Sequence, residues 1–169
     1  MPRVAFADVP DHGRLWVFPI GRVLTDGEAE RCLAVVDRFL STWAAHGQPL
    51  RSGRELYEGR FVVVGVDVDA ERPSGCSIDA LTNALRGLGQ EIGASFIDHA
   101  PVWYRSEDDI RTVSRPDFKA LAESGDVSAS THVFDTSLTT VEDFRAGLLE
   151  RPAAETWHGR AFFRDRVAT

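Results

Sequence analysis

Within Ser74-Gly75-Cys76-Ser77-Ile78-Asp79, a thiol, two hydroxyls, a carboxylate and a glycine fall inside six residues. The stretch sits where an apolar strand pattern stops and a helical pattern begins, so it reads as a helix start. A thiol in that place feels the partial positive charge of unpaired N–H groups, which favours the nucleophilic thiolate. Gly75 permits a close backbone approach or an unusual φ. Free N–H groups together with the Ser77 hydroxyl make a donor set for an oxyanion or a phosphate. Asp79 follows Cys76 by three residues and projects from roughly the same helix side, where its charge opposes thiolate formation. A plainer reading needs no chemistry. Ser77 suits an N-cap, Asp79 suits a first-turn acid, and cysteine is among the most buried residue types.

A second stretch, Trp43-Ala44-Ala45-His46-Gly47, offers the complementary group. His46 could serve Cys76 as a base or as a hydrogen-bond partner. Gly47 is placed to end the preceding helix as a left-handed cap, with His46 beside it satisfying terminal carbonyls. His12, His46, Cys76 and Asp79 have metal-ligand atom types but no diagnostic spacing, so neither a metal nor a cofactor is assigned. His99, His132 and His158 form no cluster in sequence and read as surface or packing residues.

The elements that must position these residues follow from periodicity. Arg14 to Phe18 is a strand with two apolar faces, which suits an inner position, and Pro19 limits it. Thr25-Asp26-Gly27-Glu28 is a capping box, and apolar residues from Ala29 to Trp43 recur at helical spacing. Leu50 to Tyr57 is a more polar edge strand, turned at Glu58-Gly59 into the most apolar strand, Arg60 to Val66. Ile78, Leu81, Leu85, Leu88 and Ile92 make a second amphipathic helix. Pro101 to Arg105 and Ile110 to Val113 read as a hairpin, and Ser114 to Glu123 as a helix ended by Gly125. His132-Val133-Phe134 is a short strand or an extended segment, and a last helix opens at Thr139 and closes before Pro152. Trp157, Phe162 and Phe163 are expected to dock on the body, with Arg160, Arg164 and Arg166 solvated.

That order is the ferredoxin-like βαββαβ pattern, an α+β fold with an extra hairpin strand and C-terminal helices. The expectation is a single domain over 1–169, with a core over about 14–113 and a helical extension over about 114–169. In this topology the end of the first helix and the start of the second lie at one edge of the sheet. His12 and Arg14 at the start of the first strand join them there, as do Tyr104 and Arg105 at the end of the fourth.

Composition narrows the function classes. A net charge of −7 argues against binding nucleic acid, whose affinity rests on Lys and Arg contacts to phosphates. No stretch has the apolar length of a membrane span, and Met1 to Asp8 lacks the apolar run of a signal peptide. Two cysteines, Cys32 and Cys76, make no disulfide framework or zinc pattern, which points to the cytoplasm. Cys32 falls on the apolar side of its helix and reads as a core residue.

Taken together, Arg14-Leu15-Trp16-Val17, Trp43 to Leu50, Arg60 to Val64 and Gly75-Cys76-Ser77-Ile78-Asp79 resemble a small bacterial family of about this length. Its members often carry the name "ABC transporter ATPase". The resemblance covers most of the chain and implies no established mechanism. The name does not fit the residues: there is no G-x-x-x-x-G-K-S/T loop, and the only lysine, Lys119, stands in another context.

The favoured reading is a non-catalytic module that binds a small molecule or a protein. It would use the edge formed by Trp43, His46, Gly47, Gly75, Ser77 and Asp79. One alternative is a thiol-dependent enzyme with Cys76 as nucleophile and His46 as base. Another is a homo-oligomeric interaction subunit using an exposed sheet face or the aromatic tail.

Overall fold

A computed structural model describes residues 3–164. Arg166, the last of the tail arginines, lies outside them. The chain is α+β with antiparallel sheets, and it divides into two compact units. One comprises the chain up to Asp98 together with Ser137–Arg145. The other comprises His99–Thr136 together with the chain from Ala146. Among the described residues, no helix is long and apolar enough to cross a membrane.

The first unit opens with a single 3-10 turn at Phe6–Asp8 and runs into β1, Arg14–Pro19. Helix α1, Asp26–Thr42, starts at the expected capping box: Thr25 Oγ1 accepts from Glu28 N, and Glu28 accepts from Thr25 N. Arg22 grips the same Glu28 carboxylate through both of its oxygens at 2.8 and 2.7 Å. The Arg22 guanidinium and the Thr25 backbone N–H hold that carboxyl down to about 2. Two short strands follow, β2 (Ala44–Ala45) and β3 (Gln48–Pro49), then β4 (Ser52–Tyr57), β5 (Phe61–Val66) and helix α2 (Gly75–Ile92).

The main sheet of this unit has the order β1-β5-β4, with every neighbour antiparallel. Strand β5 is central and buried along its whole length, because both faces are covered. On one face, Phe18, Val62, Val64 and Val66 pack with Cys32, Val36 and Leu40 of α1 and with Leu81, Leu85 and Leu88 of α2. These are the residues at helical spacing in the sequence. Burial pushes the Cys32 thiol up to about 11, as expected of a core residue. On the other face, Phe6 and Val141 close over Gly65. The turn between β4 and β5 uses Glu58 and Gly59 at φ 49° and 69°, with Arg60 N donating to Tyr57 O.

The strand expected to be inner, β1, has β5 on one side only. Its other edge receives the segment at Thr139 and Thr140: Leu15 N donates to Thr139 O at 2.9 Å, and Arg14 bridges Thr140. That segment leads into α4, Val141–Arg145, which ends much sooner than the periodicity before Pro152 predicts.

The second unit holds β6 (Val102–Ser106), β7 (Asp109–Val113), α3 (Arg115–Ser124), β8 (His132–Phe134), β9 (Glu150–Pro152) and α5 (Trp157–Phe162). Its antiparallel sheet runs β7-β6-β8-β9. Tyr104 and Arg105 therefore belong to this sheet, and the strand-like partner of β1 is the Thr139–Thr140 segment. Beyond residue 114 the chain is mixed and not simply helical: the short strand expected at His132–Phe134 is β8, and β9 pairs with it where a helix was expected. Phe118 of α3 forms the centre of the core, with Tyr104, Phe162 and Phe163 at ring separations of 5.5, 4.9 and 6.0 Å. The tail rings are thus docked, as their apolar area requires.

Candidate functional site

At the start of β1 the chain makes a close crossing. A Cβ on Gly13 would lie 2.7 Å from Val66 O and 2.9 Å from Pro10 O, so no side chain fits. Gly13 O accepts from Val141 N at 3.0 Å, which seats the Thr139–Thr140 segment beside β1. Strand β1, the Thr139–Thr140 segment, the loop after β5 and the first turn of α2 line an open cleft of about 450 Å³. Its apolar wall includes Trp16, Val68, Pro73 and Ile78, and its polar groups come from His12, Arg14, Arg72, Thr139 and Thr140. The Arg14 guanidinium lies 5.1 Å from the centre of the Trp16 ring, a cation–π distance.

Beside the cleft, His12, Asp67 and Asp69 bring three donor atoms within 4.8 Å of one another. Each is engaged. His12 Nε2 lies 2.7 Å from Asp69 Oδ2, Asp67 Oδ1 accepts from Asp69 N at 2.9 Å, and Asp67 Oδ2 lies 3.7 Å from Arg51 Nε. Donors of these types are ones that divalent cations use. His12 therefore meets acids that the sequence reading did not pair with it, and not His46, Cys76 and Asp79.

The Ser74–Asp79 stretch is a helix start of a different make. Ser74, not Ser77, is the N-cap, and Ser77 completes a capping box with it. Ser77 Oγ accepts from Ser74 N at 2.7 Å and donates to Ser74 O at 2.8 Å, so this buried hydroxyl is already engaged. Gly75 has an ordinary φ, and a Cβ there would meet nothing within 4 Å, so neither expected reason for a glycine holds. Asp79 lies beyond the first turn, which carries no acid. Cys76 and Asp79 are exposed.

The His46–Gly47 stretch also differs from its reading. Helix α1 ends at Thr42, ahead of Gly47, with Trp43 already extended. His46 and Gly47, at φ 53° and 77°, form the two-residue turn of the β2–β3 hairpin, in which Ala45 pairs Gln48. Two successive positive φ values are the signature of a type I′ turn, and only the second position has glycine to make it easy. His46 is exposed at the tip. Among the described residues, no hydrogen bond joins His46 to Cys76, so no thiol–imidazole pair is formed.

The two stretches do approach each other, through Trp43. Its indole N–H donates to Ser77 O at 2.8 Å, and its ring, 3% exposed, packs edge-on against Trp16 at 6.1 Å. Trp43 therefore holds the start of α2 and backs the Trp16 wall, and it does not face a ligand. Sequence reasoning had placed His12 and Arg14 at this edge. It missed Arg72, in the segment between β5 and α2, and Thr139–Thr140, read as a helix start. Nothing local in the sequence pairs Thr140 with Arg14. No protein-family model, curated protein or solved structure matches the chain.

Proposed function

We propose that the protein is a non-catalytic binding module that takes a small molecule in the cleft at the start of β1 and α2. The cleft itself carries this reading. Its volume of about 450 Å³ falls in the range of roughly 300–1,000 Å³ typical of small-molecule sites, and apolar walls with a few convergent polar groups are what such sites have in common. A second depression of about 350 Å³, near the end of α2, is lined mainly by Gly89, Gln90, Ala94 and Phe96. Its one charged group, Arg86, already bonds Asn83.

In this reading the first unit is a ferredoxin-like sheet in which the Thr139–Thr140 segment takes the place of the fourth strand. The order β1-β5-β4 and the bond from Leu15 N to Thr139 O support it. Trp43 and Ser77 then belong to the support of the cleft, with Ile78 as the helix residue that reaches it, while Gly47, Gly75 and Asp79 do not line it. Unpaired Cys32 and Cys76 favour a reducing cytoplasm. The family resemblance brings no ATP hydrolysis with it, because the chain has no phosphate-cradling loop.

The test is a screen of small aromatic and aliphatic fragments against uniformly ¹⁵N-labelled protein. Binders are expected to move the amide signals of Gly13, Arg14, Ile78, Thr139 and Thr140 together. Fragment shifts that cluster at Gly89–Phe96 instead, or a screen with no shifts at the cleft, would overturn the proposal.

A further inference from the structure

The charged groups at the cleft fall into two kinds. His12, Asp67 and Asp69 satisfy one another and Arg51. Arg14 and Arg72 do not: among the described residues, neither guanidinium makes a hydrogen bond or an ion pair. Arg14 stacks on Trp16, and a guanidinium stacked by its face keeps its N–H edge available. The positive end of the α2 dipole lies at the same wall, through Pro73 and Ile78. Thr139 and Thr140 add hydroxyls. The remaining wall, Trp16, Val68 and Ile78, is mostly hydrocarbon and ring surface and suits an apolar body.

From this arrangement, and resting on the reading of the cleft as a ligand site, we infer that it takes a small amphipathic anion. A carboxylate or phosphate accepts from Arg14 and Arg72, and an apolar body lies on Trp16 and Ile78. Planar, fork-shaped donors match either oxyanion, and such bonds are about twice as strong as neutral ones. The partner is small and not a polyanion, because a chain of net charge −7 repels a phosphate backbone beyond these two arginines.

Four probes separate the components in full-length ¹⁵N-labelled protein: phenyl phosphate, benzoate, neutral benzyl alcohol and inorganic phosphate. Phenyl phosphate or benzoate is expected to shift Gly13, Arg14, Thr139 and Thr140, and to bind about tenfold or more tighter than benzyl alcohol. Arg14→Gln and Arg72→Gln should each weaken that binding by about tenfold while keeping the wild-type melting temperature. Arg72→Lys, which keeps charge but loses the fork, should fall between.

Benzyl alcohol binding at the same amides as tightly as the anions would overturn the anion assignment and leave the cleft as a ligand site. Silence from all four probes at these amides, with fragments still binding there in the broader screen, would do the same. Silence in both experiments would remove the binding proposal as well. Inorganic phosphate binding as tightly as phenyl phosphate would overturn the apolar half of the inference. Unchanged affinity in both glutamine variants would overturn the arginine roles.

Discussion

In the second unit, Arg105 is held by both oxygens of Glu150 at 2.6 and 2.9 Å. Arg151 reaches Asp135 at 2.8 Å, while Arg115 donates to Ala100 O and stacks on Trp157. At the cleft of the first unit, Arg14 and Arg72 have no such partners among the described residues. For Arg105 and Arg151 the difference follows burial. The Arg105 and Glu150 side chains are only 22% and 16% exposed, and a half-dry charge left alone is costly. Arg14 and Arg72 stand in solvent, where an unpaired cation costs little. Arginines that the fold requires are thus distinguishable from arginines that the fold can spare for a ligand.

The contrast breaks most visibly at the centre of the second unit. Phe118 is fully buried among three other rings, and Phe118→Ala is expected to cost about 3–5 kcal/mol in urea unfolding. A loss below about 1 kcal/mol would show that this core is not organised around it.

His158 sharpens the same contrast through pH. It is 1% exposed, its Nδ1 lies 2.8 Å from Thr156 Oγ1, and its ring stacks on Trp157 at 3.9 Å. Burial brings its pKa down to about 4, with Arg115 and Arg151 acting in the same direction and Asp135 opposing. Below pH 6.5 the unfolded chain takes up a proton that the folded imidazole refuses. Stability from this group is therefore complete above about pH 6.5 and falls as pH drops toward 4, by ~3 kcal/mol in all. Glu150 adds a loss at more acidic pH, since Arg105 holds its carboxyl below the usual range. Unfolding curves between pH 7 and 4 should show the slope, and His158→Gln should flatten it. An equal slope in the variant would assign the acid sensitivity elsewhere.

The smallest effects test the comparison itself. Glu150→Gln, which leaves Arg105 without its carboxylate, should cost about 1–3 kcal/mol. Arg14→Gln and Arg72→Gln should change stability by no more than about 0.5 kcal/mol. Equal losses from all three, measured side by side, would erase the distinction between fold and ligand arginines.

Local rules read much of the chain correctly. The capping box at Thr25–Glu28, the turn at Glu58–Gly59, the helix stop at Gly125 and the central burial of Phe61–Val66 all follow from residue types a few positions apart. The candidate site was less legible. Gly47 has the positive φ foreseen for it, but in a hairpin, because Trp43 leaves the helix early to bury its ring and bond Ser77. A helix cap and a tight hairpin both ask for glycine, and no local pattern separates them.

By itself, then, the sequence determined strands β1 and β4 to β8, the two long helices and the meeting of His12, Arg14 and the α2 start at one edge. These depend on periodicity, capping and chain direction, which act over a few residues or one crossover. Only the tertiary structure decided that Thr139–Thr140 lies against Arg14 and that Val102–Ser106 joins another sheet. It also decided that Ser77 is engaged by its own cap while Arg14 and Arg72 are left open to a cleft. Such pairings hold residues far apart in the chain, and their free energy comes from which surfaces are dried together, a quantity that no short stretch of sequence contains.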